Sequence, residues 1–563
     1  MIRIRISSSD IAPAAPLFAA LASKGRNYAS LLTRYCEIIN KHRGFTALGI
    51  SVLYFAVTLA LSSIKLIWLD EFITLYISRL GNVHSILNAL SRGADPNPPL
   101  TYLLVIASRK LFGEGALALR LPGMLASWAG LVALYAFLRR RVPPVYAAAG
   151  ALFFMATPAF DYSFEGRSYA LVLGFCALSL LAWQRTGEGI HKSWSAVGLA
   201  LALAAGLASN YFAVLAFFPI AAGELLRDAR LRKVEWRVWI AMAVAGSTLF
   251  VYLPLINKAV ATFSPYAWNK VRLGAITDSY LEMVEWILWP ALAVLGMGII
   301  SWYRKTSSSR PRVLPRHEAL AAFVLMSYPF IAYVIARIHG GMLSPRFVIP
   351  MCYGFAIAVT ATAYRLFGKR AWAGLVLVAT LLGWVFAREG VVARMYYDQR
   401  LALNRIIDTL PATSAIAVTD SLLILPLHYY APPAIASHIF FPVDFDAIRQ
   451  YKKEDSPEQN LWNGRDWIYP VPIVPLSAFD SSHDSYVLAA PGSNWLLQKL
   501  ITQGRPARML PIFTDTKDIQ GFTPLAHGPV WFFAEGSFPD LPPVDARVTL
   551  FEASPPEIHE IKE

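Results

Sequence analysis

Cysteine is almost missing from this chain, with three residues in 563, at positions 36, 176 and 352. That excludes a disulfide framework, and no Cys/His cluster with zinc-ligand spacing occurs. Charge is scarce as well: 16% of residues are charged and 56% are hydrophobic, with a mean hydropathy of +0.45. The sequence has no Walker loop, no dinucleotide-type glycine motif after a strand and no His-Glu-x-x-His pair. Chemistry driven by a nucleotide bound in a soluble domain is therefore not expected, nor is a zincin site. There is also no internal repeat, the usual mark of a transporter built from duplicated halves.

What the chain has in quantity is long apolar runs. A membrane helix needs about 20 mainly apolar residues, and runs near that length lie at 44–66, 120–138, 143–160, 167–185, 194–209, 211–226, 236–256, 284–302, 318–337, 346–365 and 371–388. The expected fold is a polytopic α-helical membrane protein of about eleven spans. Basic clusters recur at alternate ends, such as Arg139-Arg140-Arg141, Arg185 with Lys192, Arg227 to Lys233, and Arg365 with Lys369-Arg370. By the positive-inside rule these ends are cytoplasmic. Eleven spans then put the amino terminus inside and the carboxyl terminus outside. No cleavable signal peptide is expected, since the first apolar run follows a basic tail at 1–43.

The formal charge of +14 is not a nucleic-acid signal. Residues 391–563 hold 20 acidic and 13 basic side chains, a net of −7, so the excess of +21 sits on the membrane part. Basic helix ends account for it. Three regions follow: the tail 1–43, a membrane domain 44–390 with a first external loop at 67–119, and a soluble α/β domain at 391–563. In the last, 397–410 and 494–503 read as helices, and 415–419, 486–490, 530–533 and 548–551 as strands. Within the loop, 99–112 is apolar but too short to span, so it reads as an interfacial helix with Arg109 and Lys110 at its wet end. Segment 71–91 reads as a second.

The candidate chemistry gathers on the external side. Asp70-Glu71 ends the first apolar run just after Trp68, a place suited to a general base acting at headgroup depth. A polar helix terminus would look the same. Asp95 precedes Pro96-Asn97-Pro98-Pro99, a rigid entry to the interfacial helix. Asp161-Tyr162-Ser163-Phe164-Glu165-Gly166-Arg167-Ser168-Tyr169 packs acids, an arginine and tyrosines into one turn beside the bilayer, where charge is costly. Mutual Glu165–Arg167 pairing is the plainer explanation. Arg346 opens the tenth span and suits a phosphate through paired donors. Asn210-Tyr211-Phe212 marks another outer turn.

These residues resemble the GT-C glycosyltransferases, most nearly the protein O-mannosyltransferase and lipid A aminoarabinose transferase branch, which includes bacterial enzymes acting on lipopolysaccharide. The matching elements are Asp70-Glu71, Asp95-Pro96-Asn97-Pro98-Pro99-Leu100, Leu111-Phe112-Gly113 with Arg120-Leu121-Pro122, Glu165-Gly166-Arg167-Ser168-Tyr169, and Arg346-Phe347-Val348-Ile349-Pro350. Asn97 stands where many relatives have His. The resemblance implies transfer of a hexosyl or pentosyl group, with inversion, from a polyprenyl-phosphate sugar to a lipid, glycan or protein acceptor. It implies a site on the periplasmic face of an inner membrane. Asp70 is the implied base. Glu71 would be its helper, with Asp95 and Asp161 as weaker candidates. Arg167 and Arg346 are the implied phosphate partners, Glu165 and Tyr169 line the substrate, and Arg109, Lys110 and Arg120 are second choices. No cofactor is implied; a divalent cation between acids and phosphate is an alternative that the resemblance does not favour. An oligosaccharide ligase, a lipid or solute transporter, or a silent cell-envelope assembly factor are the competing readings.

Overall fold

The computed structural model describes residues 41, 43–267, 269–303, 313–339, 342–368, 371–491, 494–504, 507–510 and 548–553. The expected basic tail, apart from residues 41 and 43, and the strand at 530–533 lie outside them. Each expected apolar run coincides with helix. The first is α1 (Arg43–Ile64). The first loop then carries α2 (Leu69–Arg79), α3 (Val83–Ser91) and α4 (Leu100–Phe112). The bundle continues with α5 (Ala116–Arg139), α6 (Pro144–Met155), α7 (Tyr169–Gly187), α8 (Lys192–Ser209), α9 (Phe217–Leu231) and α10 (Trp236–Phe263). It closes with α11 (Gly274–Val284), α12 (Leu288–Tyr303), α13 (Arg316–Met326), α14 (Tyr328–His339), α15 (Met351–Phe367) and α16 (Ala371–Thr409).

Among the described residues seven helices are long and apolar enough to cross a membrane, or eight when α13 and α14, bent by 58° at Ser327, count as one span. Three expected spans are shorter than a full crossing for visible reasons. Helix α6 stops at Met155, and Pro158 restarts the chain as a 3-10 turn, Pro158–Phe164. Proline ahead of α15 does the same at Pro345–Val348. Asn210 caps a 3-10 turn, Tyr211–Ala216, by accepting the Phe212 N–H at 2.9 Å, and only then does α9 begin.

Two readings of the sequence need correction. Segment 71–91 is two helices, because Gly81 turns at φ +78 and Asn82 caps α3 through the Ser85 N–H at 2.9 Å. The helix of the last span does not end near Arg388 either. Helix α16 runs 39 residues, about 58 Å at 1.5 Å per residue. It therefore outruns the ~30 Å hydrocarbon layer and absorbs the separate helix expected at 397–410.

Beyond α16 lies a six-stranded sheet in the order β3-β2-β1-β4-β6-β5. Strands β1 (Ile416–Val418), β2 (Ile439–Val443), β3 (Ile473–Pro475) and β4 (Tyr486–Pro491) pair in parallel. Strand β6 (Val548–Ala553) lies antiparallel between β4 and β5 (Ala507–Leu510). Short strands β2, β3 and β5 escape sequence reading because prolines and polar neighbours break their pattern.

The buried apolar residues divide into two main cores. One fills the helix bundle around Tyr54, Phe154, Phe160 and Tyr353. The other joins Phe72, Tyr76 and Tyr102 of the first loop to Ile416, Ile424 and Leu488 of the α/β domain. Across that seam Phe72 meets Tyr429 at 5.1 Å between rings, and the Ile67 N–H donates to the Tyr430 hydroxyl at 3.0 Å. Loop and domain thus bury one another, which holds the loop's polar edge in place above the bundle.

Candidate active site

Two acids adjacent in sequence point into different surroundings, because successive residues on a helix are 100° apart. Both open α2. Glu71 turns inward and is wholly buried, as is its partner Arg120 from α5. The Arg120 Nε and Nη2 donate to the two Glu71 oxygens, each at 2.7 Å. The same guanidinium donates to the carbonyls of Ser62 (2.7 Å), Lys65 (3.1 Å) and Leu66 (2.9 Å), groups left unpaired where α1 ends. Gly166 completes the arrangement, its N–H donating to Glu71 Oε1 at 2.7 Å. A side chain there would strike Leu119, 2.5 Å from an ideal Cβ, so only glycine allows this approach. Burial works to raise the Glu71 pKa, but Arg120, Lys65 and the Gly166 N–H outweigh it and hold the carboxyl below its usual range.

Asp70 turns the other way and keeps 13% of its side chain exposed. Its Oδ2 accepts from Arg346 Nη1 at 2.7 Å and lies 3.8 Å from Arg167 Nε. Arg346 comes from the 3-10 turn before α15, some 276 residues away in sequence, and it sits over the Tyr169 ring at 5.6 Å. Asp95 and Asp70 flank Arg167, and the Tyr169 ring and Asp70 flank Arg346. Both arginines stay charged.

Asp95 is buried and anchors Arg167. Its Oδ2 accepts from Arg167 Nη1 and from the Tyr102 hydroxyl, both at 2.6 Å, and its Oδ1 accepts from Asn97 Nδ2 at 3.1 Å. Asn97, the departure from the family pattern, accepts in turn from Asn210 Nδ2 at 3.0 Å and from the Ser168 hydroxyl at 3.3 Å. The prolines after Asp95 and the helix they start therefore set the angle of Arg167.

The remaining expected residues fall into separate groups. Glu165 pairs with Lys65 at 2.5 Å; burial drives this carboxyl above its usual range while the Lys65 ammonium pulls it back. Asp161 accepts both Arg388 Nη atoms, at 2.8 and 2.6 Å, and so ties the turn to α16 rather than to Asp70. Arg109 pairs with Glu114 and donates to the Ser78 hydroxyl at 3.0 Å, at the far end of α4 from Asp95. Lys110 beside it is exposed. Glu165 and Arg167 do not pair with each other, which removes the plainer alternative for that turn. Lys65 and Arg388 escaped the sequence reading, although a lone lysine closing an apolar run is a signal that could have found the first. Among the described residues no group of three or more His, Cys, Asp or Glu could hold a metal ion.

Residues 96–257 match the family described as dolichyl-phosphate-mannose-protein mannosyltransferase. That stretch includes Asn97, Arg120, Asp161, Glu165 and Arg167, and leaves Asp70, Arg346 and the α/β domain outside. The resemblance to the O-mannosyltransferase branch expected from the motifs is met there. A search among curated proteins returned no match. Among solved structures, ArnT from Cupriavidus metallidurans bound to undecaprenyl phosphate is similar at 13% identity and a TM-score of 0.48, over 83% of this chain and 96% of that one. The S. cerevisiae Pmt1-Pmt2 complex bound to the sugar donor is similar at 15% identity and a TM-score of 0.29, over 40% of this chain and 33% of that one. An Archaeoglobus fulgidus oligosaccharyltransferase shares 9% identity at a TM-score of 0.45, over 78% of this chain and 68% of that one.

Proposed function

We propose that this chain is a membrane glycosyltransferase that moves a hexosyl or pentosyl group from a polyprenyl-phosphate donor to a hydroxyl or amine of a lipid, glycan or protein acceptor. The observation that carries the reading is the partly exposed Asp70 carboxylate held against Arg346 at 2.7 Å and Arg167 at 3.8 Å. One acid and two cations at one opening match what glycosyl transfer from a phosphate ester demands. The reaction needs a proton acceptor for the nucleophile and positive charge for the leaving phosphate.

In this mechanism Asp70 takes the proton of the acceptor, whose freed lone pair attacks the anomeric carbon. The bond from that carbon to the phosphate oxygen breaks, the configuration inverts, and polyprenyl phosphate leaves with the bonding electrons. Without donor, Arg346 is engaged by Asp70. An arriving phosphate competes for the guanidinium and leaves Asp70 free to accept a proton. Asp95 and Tyr102 act as positioning residues, holding Arg167 in place. Glu71 with Arg120 holds the loop to the bundle and does not touch substrate. The site faces the side opposite the basic helix ends, which corresponds to the periplasmic face of an inner membrane. No divalent cation is invoked, since the arginines supply the positive charge.

Arg346 gives a direct test. A hydrogen bond to a charged group is worth about 1.5–3 kcal/mol, so Arg346→Gln should raise the donor KM by about tenfold or more while the acceptor KM stays within twofold. Reconstituted protein with labelled polyprenyl-phosphate sugar reads both. Equal losses for donor and acceptor would remove Arg346 from the phosphate site. For the acceptor, mass spectrometry of surface glycolipids and glycoproteins from a deletion strain should show one class losing a single sugar residue. A deletion strain with all surface glycans intact would overturn the reading.

A further inference from the structure

At the other end of the bundle from Asp70, a cavity of about 640 Å³ opens among the ends of α5, α7, α9 and α13. Arg120 and Arg140 bracket α5, about 30 Å apart at 1.5 Å per residue, which is one hydrocarbon thickness. The cavity therefore lies at the opposite membrane face. Five arginines line it, namely Arg140, Arg141, Arg227, Arg230 and Arg316, against the carboxylates of Glu188 and Glu318.

Those carboxylates are already committed. Arg140 Nε donates to Glu188 at 2.6 Å, and Arg141 Nε to Glu318 at 2.7 Å. Arg230 and Arg316 are exposed at the mouth and have no carboxylate partner among the described residues. Arg227 forms the floor and is only 6% exposed. Its Nη2 donates to the wholly buried Glu224 at 2.5 Å, and Trp183 Nε1 holds the other Glu224 oxygen at 2.8 Å. Its Nε is buried with no hydrogen-bond partner. Gly187 makes this seat possible, because an ideal Cβ there would lie 1.9 Å from Arg227 Nη1. On the lipid side the rim is apolar, with Leu231 lining the cavity and both Leu225 and Leu231 exposed along α9.

We infer that this cavity binds the phosphate headgroup of an anionic glycerophospholipid in the leaflet opposite the Asp70 site. The phosphate sits between Arg227, Arg230 and Arg316, and its acyl chains lie along the exposed leucines of α9. Two exposed cations at the mouth, an unsatisfied donor at the floor and an apolar exit on one side fit a lipid phosphate better than a wholly soluble anion. The inference does not depend on the reaction at Asp70.

Native mass spectrometry of the full chain, released from nanodiscs containing phosphatidylglycerol and phosphatidylcholine, tests it. One phosphatidylglycerol should be retained in preference to phosphatidylcholine. A basic side chain near an anionic surface contributes about fivefold to affinity, so the double variant Arg230→Gln, Arg316→Gln should lower retention by about 25-fold. Both positions are exposed, so folding should survive. Arg237→Gln, an exposed arginine at the same end but outside the cavity, should leave retention unchanged. Equal retention of both lipids, an unaltered double variant, or equal loss in Arg237→Gln would overturn the site. Displacement of the lipid by millimolar inorganic phosphate would instead identify a soluble anion as the occupant.

Discussion

Asp70→Asn should lower sugar transfer by about 10²–10⁴-fold, the range over which a positioned general base acts, while the protein remains folded and inserted. The substitution is nearly isosteric and can still accept from Arg346 through its amide oxygen. It removes the negative charge between Arg346 and Arg167, and with it the capacity to take up a proton. Loss of that charge loosens the hold on Arg346 while Arg167 stays on Asp95, so donor affinity should hold or improve while turnover collapses. A kcat loss without a KM rise in proteoliposomes is the expected signature. Near-normal turnover would exclude Asp70 as the base, whatever the status of the phosphate contacts. Glu71→Gln provides the contrast, because its carboxylate is sealed away. Any loss of transfer there should follow the loss of folded protein.

The second large effect is on stability. Arg120→Met should cost several kcal/mol, since removing one partner of a buried ion pair typically costs 3–5 kcal/mol. Here the lost guanidinium also strands the carbonyls of Ser62, Lys65 and Leu66. Glu71→Gln should cost less, because the amide oxygen keeps one acceptor for Arg120. The double variant should fall short of the sum of the two, as the residues share one network. Heating followed by size-exclusion chromatography measures the order; an Arg120→Met protein with unchanged thermal stability would refute it. The pH dependence follows from the depressed Glu71 pKa. A folded-state value below the unfolded one, ~4.3, gives stability that is complete above that unfolded value. It is lost as pH falls through the lower folded value. Acid should thus loosen the first loop in the wild type, and Glu71→Gln should lack this component.

Particular elements explain why some of this was legible in the residues and some was not. The apolar runs, the helix Leu100–Phe112 and the strands around Ile416–Val418 and Tyr486–Pro491 follow local patterning, and each is readable from composition and periodicity. The break at Gly81-Asn82 is equally local, since glycine and a capping asparagine are turn chemistry. The fusion of the last span with the following helix was hidden by the charged stretch Arg388 to Arg400, since polarity there marks emergence from lipid and not the end of a helix.

The sequence by itself determined a chain of membrane helices with a Pro-stiffened first loop and a following α/β domain, because hydrophobic length and turn chemistry are local properties. It also placed Asp70, Asp95, Arg167 and Arg346 among the candidates. Only the tertiary structure decided which acid faces which cation. Asp70 and Glu71 differ by one position, yet one meets Arg346 at the opening and the other meets Arg120 in the core. Arg109 and Lys110, attractive as nearby charges, lie at the far end of their helix, and Asp161 belongs to Arg388. Ion pairing between residues 49 to 276 positions apart depends on how the helices pack, and no local pattern encodes that distance.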